Sequence, residues 1–188
     1  MQLADFSEVL DFWFGAPASR ERGRPRKIWF RKSDAFDAEI HRRFTPLWER
    51  AVRGELERWQ STPLAALALV VVLDQFSRNM FRGTRRAFAG DPAALAAATH
   101  MLEGGFDRLL CAQERTFVYM PFEHAEDLAA QRRSLVLFEA LDPNDMEYAR
   151  RHHDIIARFG RFPHRNAVLG RESTPEEIEF LKRPGSSF

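Results

Sequence analysis

The stretch Leu64-Ala-Ala-Leu-Ala-Leu-Val-Val-Val-Leu73 is apolar at all ten of its positions. Thr62-Pro63 stands in front of it, a capping residue followed by proline at the first helical position, so the run opens a helix that should continue to about Phe81. A helix that is hydrophobic all round has to be buried. Crossing a membrane takes about 20 such residues, and this run stops at Asp74. It is therefore read as the axis of a globular core that other segments must cover, and no membrane association is expected. With 188 residues, 45% of them hydrophobic and 29% charged, the chain has enough material to do so as one domain. Residues 1–183 are assigned to that domain and 184–188 to a frayed tail.

The remaining punctuation is helical. Ser7 is a candidate cap for a short helix carrying Val9, Leu10 and Trp13 and ended by Gly15. Residues 16–27 read as a surface loop. Ser33 is the N-cap of a helix with Phe36, Ile40, Phe44, Leu47 and Ala51 at helical spacing, which Pro46 should kink or split and Gly54 end. Asp91-Pro92 repeats the cap signal ahead of an inward face of Leu95, Ala98, Thr99 and Leu102. Phe117 to Pro121 reads as the end of a short helix. His124, Leu128, Gln131, Leu135 and Phe138 mark one face of a helix over 122–141, and Pro143-Asn144 starts another that runs to Phe159. Ser173 or Thr174, with Pro175, Glu176 and Glu177, opens a last short helix to about Leu181. Short connections between helices make antiparallel hairpins. The fold class expected is all-α, with helical hairpins packed as a compact solenoid-like bundle.

Charge and cysteine content narrow the function classes. A net charge of +1 argues against a nucleic-acid binder, which needs a basic surface. One cysteine, Cys111, excludes an intramolecular disulfide and a cysteine-based zinc site. An acidic start at Asp5 and Glu8 is unlike a signal peptide, and a reducing cytoplasm is the compartment expected. Of 28 basic residues only Lys27, Lys32 and Lys182 are lysine, and arginine suits buried pairs and bidentate anion contacts. H-E-x-x-H, Walker, G-x-G-x-x-G, G-x-S-x-G and E-x-x-H motifs are all absent, so neither a cofactor nor a metal is assigned.

Three polar clusters remain as candidate chemistry. Asp74-Gln75 closes the apolar run, and Asp74 and Arg78 are four apart in the favourable helical order. Arg78-Asn79-x-x-x-Gly83, with Arg82 inside it, is echoed by Arg165-Asn166-x-x-x-Gly170. Each echo follows a helix, where asparagine tolerates the left-handed conformation and arginine suits the dipole. Glu123 and His124 are placed in the first turn of the 122–141 helix and are the best acid–base candidates. The segment around Arg161, His164, Arg165 and Asn166 is rich in donors that can clamp a carboxylate or phosphate. Each cluster also has a purely structural reading as a capping or ion-pair network. In Arg151-His152-His153-Asp154, at least one histidine should face inward.

Three segments carry a family resemblance: Leu73-Asp-Gln-Phe-Ser-Arg-Asn-Met-Phe-Arg-Gly83, Tyr119-Met-Pro-Phe-Glu-His-Ala-Glu126, and Arg150 to Asn166 continuing through Leu169 to Glu177. Trp29-Phe30 and Ala87-Phe88 extend it over nearly the whole chain. The sequence resembles the bacterial domain-of-unknown-function 924 family. That resemblance implies a tetratricopeptide-like helical fold and no established activity, so no catalytic residues come from it.

The reading is a cytoplasmic helical protein that binds a small anionic molecule or a peptide carboxylate. Asp74, Gln75, Arg78, Asn79 and Arg82 would form one side of the pocket, and Glu123, His124, Arg161, His164, Arg165 and Asn166 the other. The alternatives are an enzyme using Glu123 or His124 as acid–base with arginine stabilising an anion, and a tetratricopeptide-like protein–protein scaffold. No nucleic-acid partner is expected, and the sequence assigns no oligomeric state.

Overall fold

The computed structural model describes residues 5–142 and 146–187, and these divide into two compact units. The first comprises residues up to Arg82 together with Arg86–Pro121; the second comprises Gly83–Arg85 and the residues from Phe122 onward. Among the described residues every regular element is helical. The expected start of a helix at Pro143-Asn144 lies outside the described residues.

In the first unit, α1 (Phe6–Phe14) is capped by Asp5, whose carboxylate accepts from the Glu8 amide at 3.0 Å. Ser7, the expected cap, is already inside the helix and donates to the same carboxylate. Aspartate wins because it stands one residue before the helix, where its oxygen reaches the third amide. The second helix, α2 (Asp34–Val52), is capped by Ser33 and runs unbroken through Pro46. Proline there removes one amide donor from a 19-residue helix and does not split it.

The apolar run forms α3 (Pro63–Val71), buried from Ala65 to Val71, while Leu64 at its start is 42% exposed. The helix then widens into a π turn over Val72–Phe76 before resuming as α4 (Ser77–Met80). A widened turn leaves carbonyls that need other partners. Here the Ser77 hydroxyl donates to the Leu73 carbonyl and accepts from the Trp48 indole at 2.6 Å. Gly90 closes over the same carbonyl, so that a Cβ built on it would lie 2.1 Å from Leu73 O.

Gly90, not Asp91, is the N-cap of α5 (Asp91–Glu103), which frees the Asp91 carboxylate to pair elsewhere. The inward face of α5 is Ala94, Ala97, Ala98 and Met101, one residue out of step with the expected Leu95, Thr99 and Leu102, which are half-buried. Small residues face α3 because its neighbour approaches as closely as Gly90 allows. Around Trp13 gather the rings of Trp29, Phe36, Phe76 and Phe117, at 5.5 to 6.2 Å between centroids.

The helix expected over 122–141 is two helices. The first, α6 (Ala112–His124), reaches into the second unit; a three-residue turn follows, and Asp127 caps α7 (Leu128–Leu141). Asp127 competes with helix continuation by accepting from the Ala130 amide at 2.7 Å. The turn is tied from inside, because the Gln131 carboxamide donates to the carbonyls of Glu123 (2.7 Å) and Ala125 (2.8 Å). Packed against α7 is α8 (Met146–Phe159), which turns His152 inward and leaves His153 half-buried.

At the C-terminal end of α8, Ile155 and Ile156 form a small core with Phe162, against which Leu128, Phe159 and Phe180 pack. The short α9 (Asn166–Leu169) and α10 (Pro175–Leu181) complete the unit; of the two candidate caps Thr174 is the one used, in a capping box with Glu177. After α10 the Ser186 hydroxyl donates to the Leu181 carbonyl, and Arg151 donates to Gly185 O.

Gly90→Ala tests the close approach. The new methyl meets a backbone carbonyl, so about 3 kcal/mol of stability or more is lost. Chemical denaturation measures it, and Ala89→Gly, one residue away, is the matched control.

Candidate functional site

The sequence-selected residues fall into two groups, one in each unit. In the first unit Asp74 is 1% exposed. Its carboxylate accepts from the Gln75 carboxamide at 2.6 Å and pairs with Arg78 at 3.0 Å. Arg78 also forks onto both oxygens of Asp91, at 2.9 and 3.2 Å. Burial works against the Arg78 cation, but Asp74 and Asp91 outweigh it and raise its pKa. Asn79 donates to Asp37 at 2.7 Å, and Arg82 holds the same carboxylate at 3.0 and 3.2 Å. Asp37, a first-turn residue of α2, was not selected from the sequence; nothing in the local pattern marks it. One guanidinium between two acids, and one acid between a guanidinium and an amide, bind helices together.

The arginine–asparagine echo has a different physical basis from the one expected. Among the described residues no side chain other than glycine has positive φ. The left-handed positions are Gly83 (φ 75°) and Gly170 (φ 70°), the last residues of the two echoes. Asn79 and Asn166 sit in helical backbone and use their amides as donors to carboxylates.

In the second unit, Glu177 is 2% exposed. Arg161 grips it with two bonds, at 2.7 and 2.8 Å, and Asn166 and the Thr174 amide add a third and fourth. These hydrogen bonds, Arg161 first, hold the carboxyl down at about 2. Arg171 forks onto Glu126 at 2.6 and 2.9 Å and also meets Asn166 Oδ1 at 3.0 Å. Burial raises the Glu126 pKa, but the Arg171 bonds, the Phe162 amide at 2.7 Å and the nearby Arg165 charge overcome it, and the carboxyl is lowered.

Two histidines and an arginine of this unit lie around one ring. Phe162 is fully buried, with the His152 ring 5.6 Å away, the His164 ring 5.5 Å away and the Arg165 guanidinium 4.5 Å over its face. His124 lies 6.0 Å from His152, and its carbonyl accepts from Arg165 at 3.0 Å. Glu123, at the last turn of α6, places Oε1 2.8 Å from His152 Nδ1, and both side chains are 6% exposed. Thus Glu123 is buried in a helix C-terminus, where the sequence placed it at an N-terminus. Its partner His152 was noted only as one of two histidines, of which at least one should point inward. Each sits beside a half-buried neighbour, His124 and His153, which spacing alone does not separate. Among the described residues, no three His, Cys, Asp or Glu side chains are arranged to hold a metal ion. None of the described helices is long and apolar enough to cross a membrane.

The family model described as bacterial protein of unknown function (DUF924) matches residues 9–185. The chain belongs to that family. A similar fold is seen in the structure of a protein of unknown function, ATU0120, from Agrobacterium tumefaciens. That protein is 42% identical to this DUF924 chain, with a TM-score of 0.85; the match covers 94% of this chain and 96% of the other. No curated protein matches.

The Arg161–Glu177 pair sets an acid dependence. The folded-state pKa of Glu177, about 2, lies below its ordinary value of 4.5, so its contribution is full above that value and is lost as pH falls toward 2. Glu177→Gln should therefore lower stability at neutral pH, and the gap from the parent protein should close between about pH 5 and pH 2. Urea denaturation over a pH series reads this directly; a gap independent of pH would contradict the assignment.

Proposed function

We propose that this DUF924 protein binds a small anionic molecule, a carboxylate or a phosphate, at the histidine–arginine cluster around Phe162 in the second unit. What carries the reading is that cluster itself: the His152 and His164 imidazoles and the Arg165 guanidinium lie around the buried Phe162 ring, and the His124 imidazole lies 6.0 Å from His152. Imidazoles and a guanidinium are the donors suited to an anion, and partial desolvation strengthens each bond they make. His124 and His164 are half-buried and so retain contact with solvent, whereas Arg165 is 6% exposed and held in place by the His124 carbonyl.

The other arginines first considered as ligand donors have a different chemistry. Arg78, Arg82 and Arg161 each carry a carboxylate partner within 3.0 Å. For these the ion pairs favour a structural part, and the reading centres on His164 and Arg165, which lie against Phe162, and on His124, whose carbonyl accepts from Arg165. We place the protein in a reducing compartment, in keeping with its exposed free thiol at Cys111.

The test is thermal stability of the full chain against inorganic phosphate, sulfate, succinate and malate. A ligand at 100 times its dissociation constant adds about 2.7 kcal/mol. His124→Ala and Arg165→Met should each abolish the response. Arg161→Gln should lower the stability of the unliganded protein and keep the response. Absence of any response from the parent protein to all four anions would end the reading.

A further inference from the structure

Every second residue from 20 to 26 is an arginine, and the four divide by task. Arg22 and Arg26 turn inward to the end of α1. Arg26 donates to the Phe12 carbonyl at 2.8 Å, Arg22 to the Gly15 carbonyl at 3.3 Å, and the Trp29 indole to the Trp13 carbonyl at 2.9 Å. Cations belong at a helix C-terminus, where the last carbonyls lack partners within the helix. These bonds hold residues 22–29 against the last turn of one helix. Two acids are taken up in the same way: Glu21 pairs with Arg26 at 3.2 Å, and Glu114 with Arg22 at 2.8 Å. Arg20, Arg24, Lys27 and Arg31 are exposed, and no hydrogen bond or ion pair ties their side chains to any of the described residues. Lys32 has only Asp34, at 3.6 Å, with both side chains mostly in water. Among these cations Phe30 is 67% exposed. A lone exposed ring is ordinary. A ring flanked on both sides by unpaired cations is not.

We propose that residues 20–32 dock the protein on an anionic lipid surface, with Phe30 entering the headgroup layer and Arg20, Arg24, Lys27 and Arg31 meeting lipid phosphates. This is independent of the anion-binding reading in the second unit. The net charge of +1 for the whole chain conceals a local excess: these thirteen residues hold seven basic side chains and one acid. The expectation of no membrane association rested on the length of the apolar run, which is a criterion for spanning a bilayer and does not bear on surface contact. Juxtaposed cations and an apolar side chain are the two signals that reversible surface binding requires, and neither is sufficient alone. Other polyanions fit less well. Duplex DNA is read by a helix or ribbon seated in a groove, whereas the only regular element here is the three-residue turn Lys27–Trp29. Single strands are held by several rings stacked along a basic groove, and this segment exposes one ring. An acidic peptide would meet the cations and leave that ring in water.

Vesicle sedimentation of the full chain tests it, with vesicles of phosphatidylglycerol and phosphatidylcholine in equal parts against vesicles of phosphatidylcholine alone. The protein should sediment with the anionic vesicles and stay in solution with the neutral ones. Raising salt from about 0.05 M to about 0.5 M should release it, because the screening length falls to a few ångströms. The double variant Arg20→Gln, Arg24→Gln should bind about 30-fold more weakly, from roughly five-fold for each cation removed. Phe30→Ser should bind about five-fold more weakly. The double variant Arg132→Gln, Arg133→Gln removes two exposed cations of α7 and should bind as the parent does. Thermal unfolding of the Arg20, Arg24 variant should match the parent, since neither side chain is bonded within the described residues. No sedimentation with the anionic vesicles at low salt overturns the proposal, as does equal sedimentation with neutral ones. A loss in the α7 variant as large as in the loop variant also overturns it. Retention of a uridine oligomer without retention of vesicles overturns it too, and gives the surface to single-stranded nucleic acid.

Discussion

Buried carboxylates set the terms for the rest of this structure. Asp74, Glu123 and Glu177 are all at most 4% exposed, and a carboxylate that leaves water must be met by a cation or by several donors. Asp74 receives Arg78 and Gln75; Glu177 receives Arg161, Asn166 and a backbone amide. The first network goes on through Arg78 to Asp91 and so ties α4 to α5, and the second ties α10 to the segment that follows α8, so the matching of charge also fixes which helix ends lie together. Removing one partner from such a pair leaves the other charge stranded, at a cost of about 3–5 kcal/mol.

Glu123 departs from this rule in the choice of its partner. It faces an imidazole, where the other two face guanidiniums. Guanidinium is always charged and serves as a fixed counterion, whereas imidazole changes protonation in the physiological range. Asp74 and Glu177 are thus committed to holding the fold. Glu123 is joined to a side chain of the type that changes protonation near neutral pH. The prevalence of arginine over lysine fits the same division, since planar guanidiniums make the bidentate bonds seen at Asp91, Asp37, Glu126 and Glu177.

Much of the helical layout was legible because its signals are local. Ser33, Thr174 with its capping box, and the apolar run after Thr62-Pro63 all act within one turn of chain. The errors arose where a local signal had two uses. Asp91 has cap chemistry, yet its carboxylate is drawn to Arg78 and Gly90 takes the cap because only glycine fits against Leu73 O. Asn79 and Asn166 are able to end helices in the left-handed conformation, yet they serve as amide donors to acids, and the adjacent glycines turn the chain. His124 keeps the spacing of an inward face only if the helix is continuous through 125–127. The Asp127 cap and the Gln131 bonds break it there, and Glu123 becomes the buried neighbour.

The sequence by itself determined the all-helical class, the buried axis over 65–73, most helix starts and membership of the DUF924 family, since each depends on residues close in the chain or on long specific motifs. Only the tertiary structure decided that Asp37 anchors the first arginine–asparagine echo, that His152 and not His153 turns inward, and that His152 is the partner of Glu123. Those pairings join residues 29 to 45 positions apart. Whether two such groups meet is set by how helices pack, and helical periodicity carries no information about what stands on the other side of the contact.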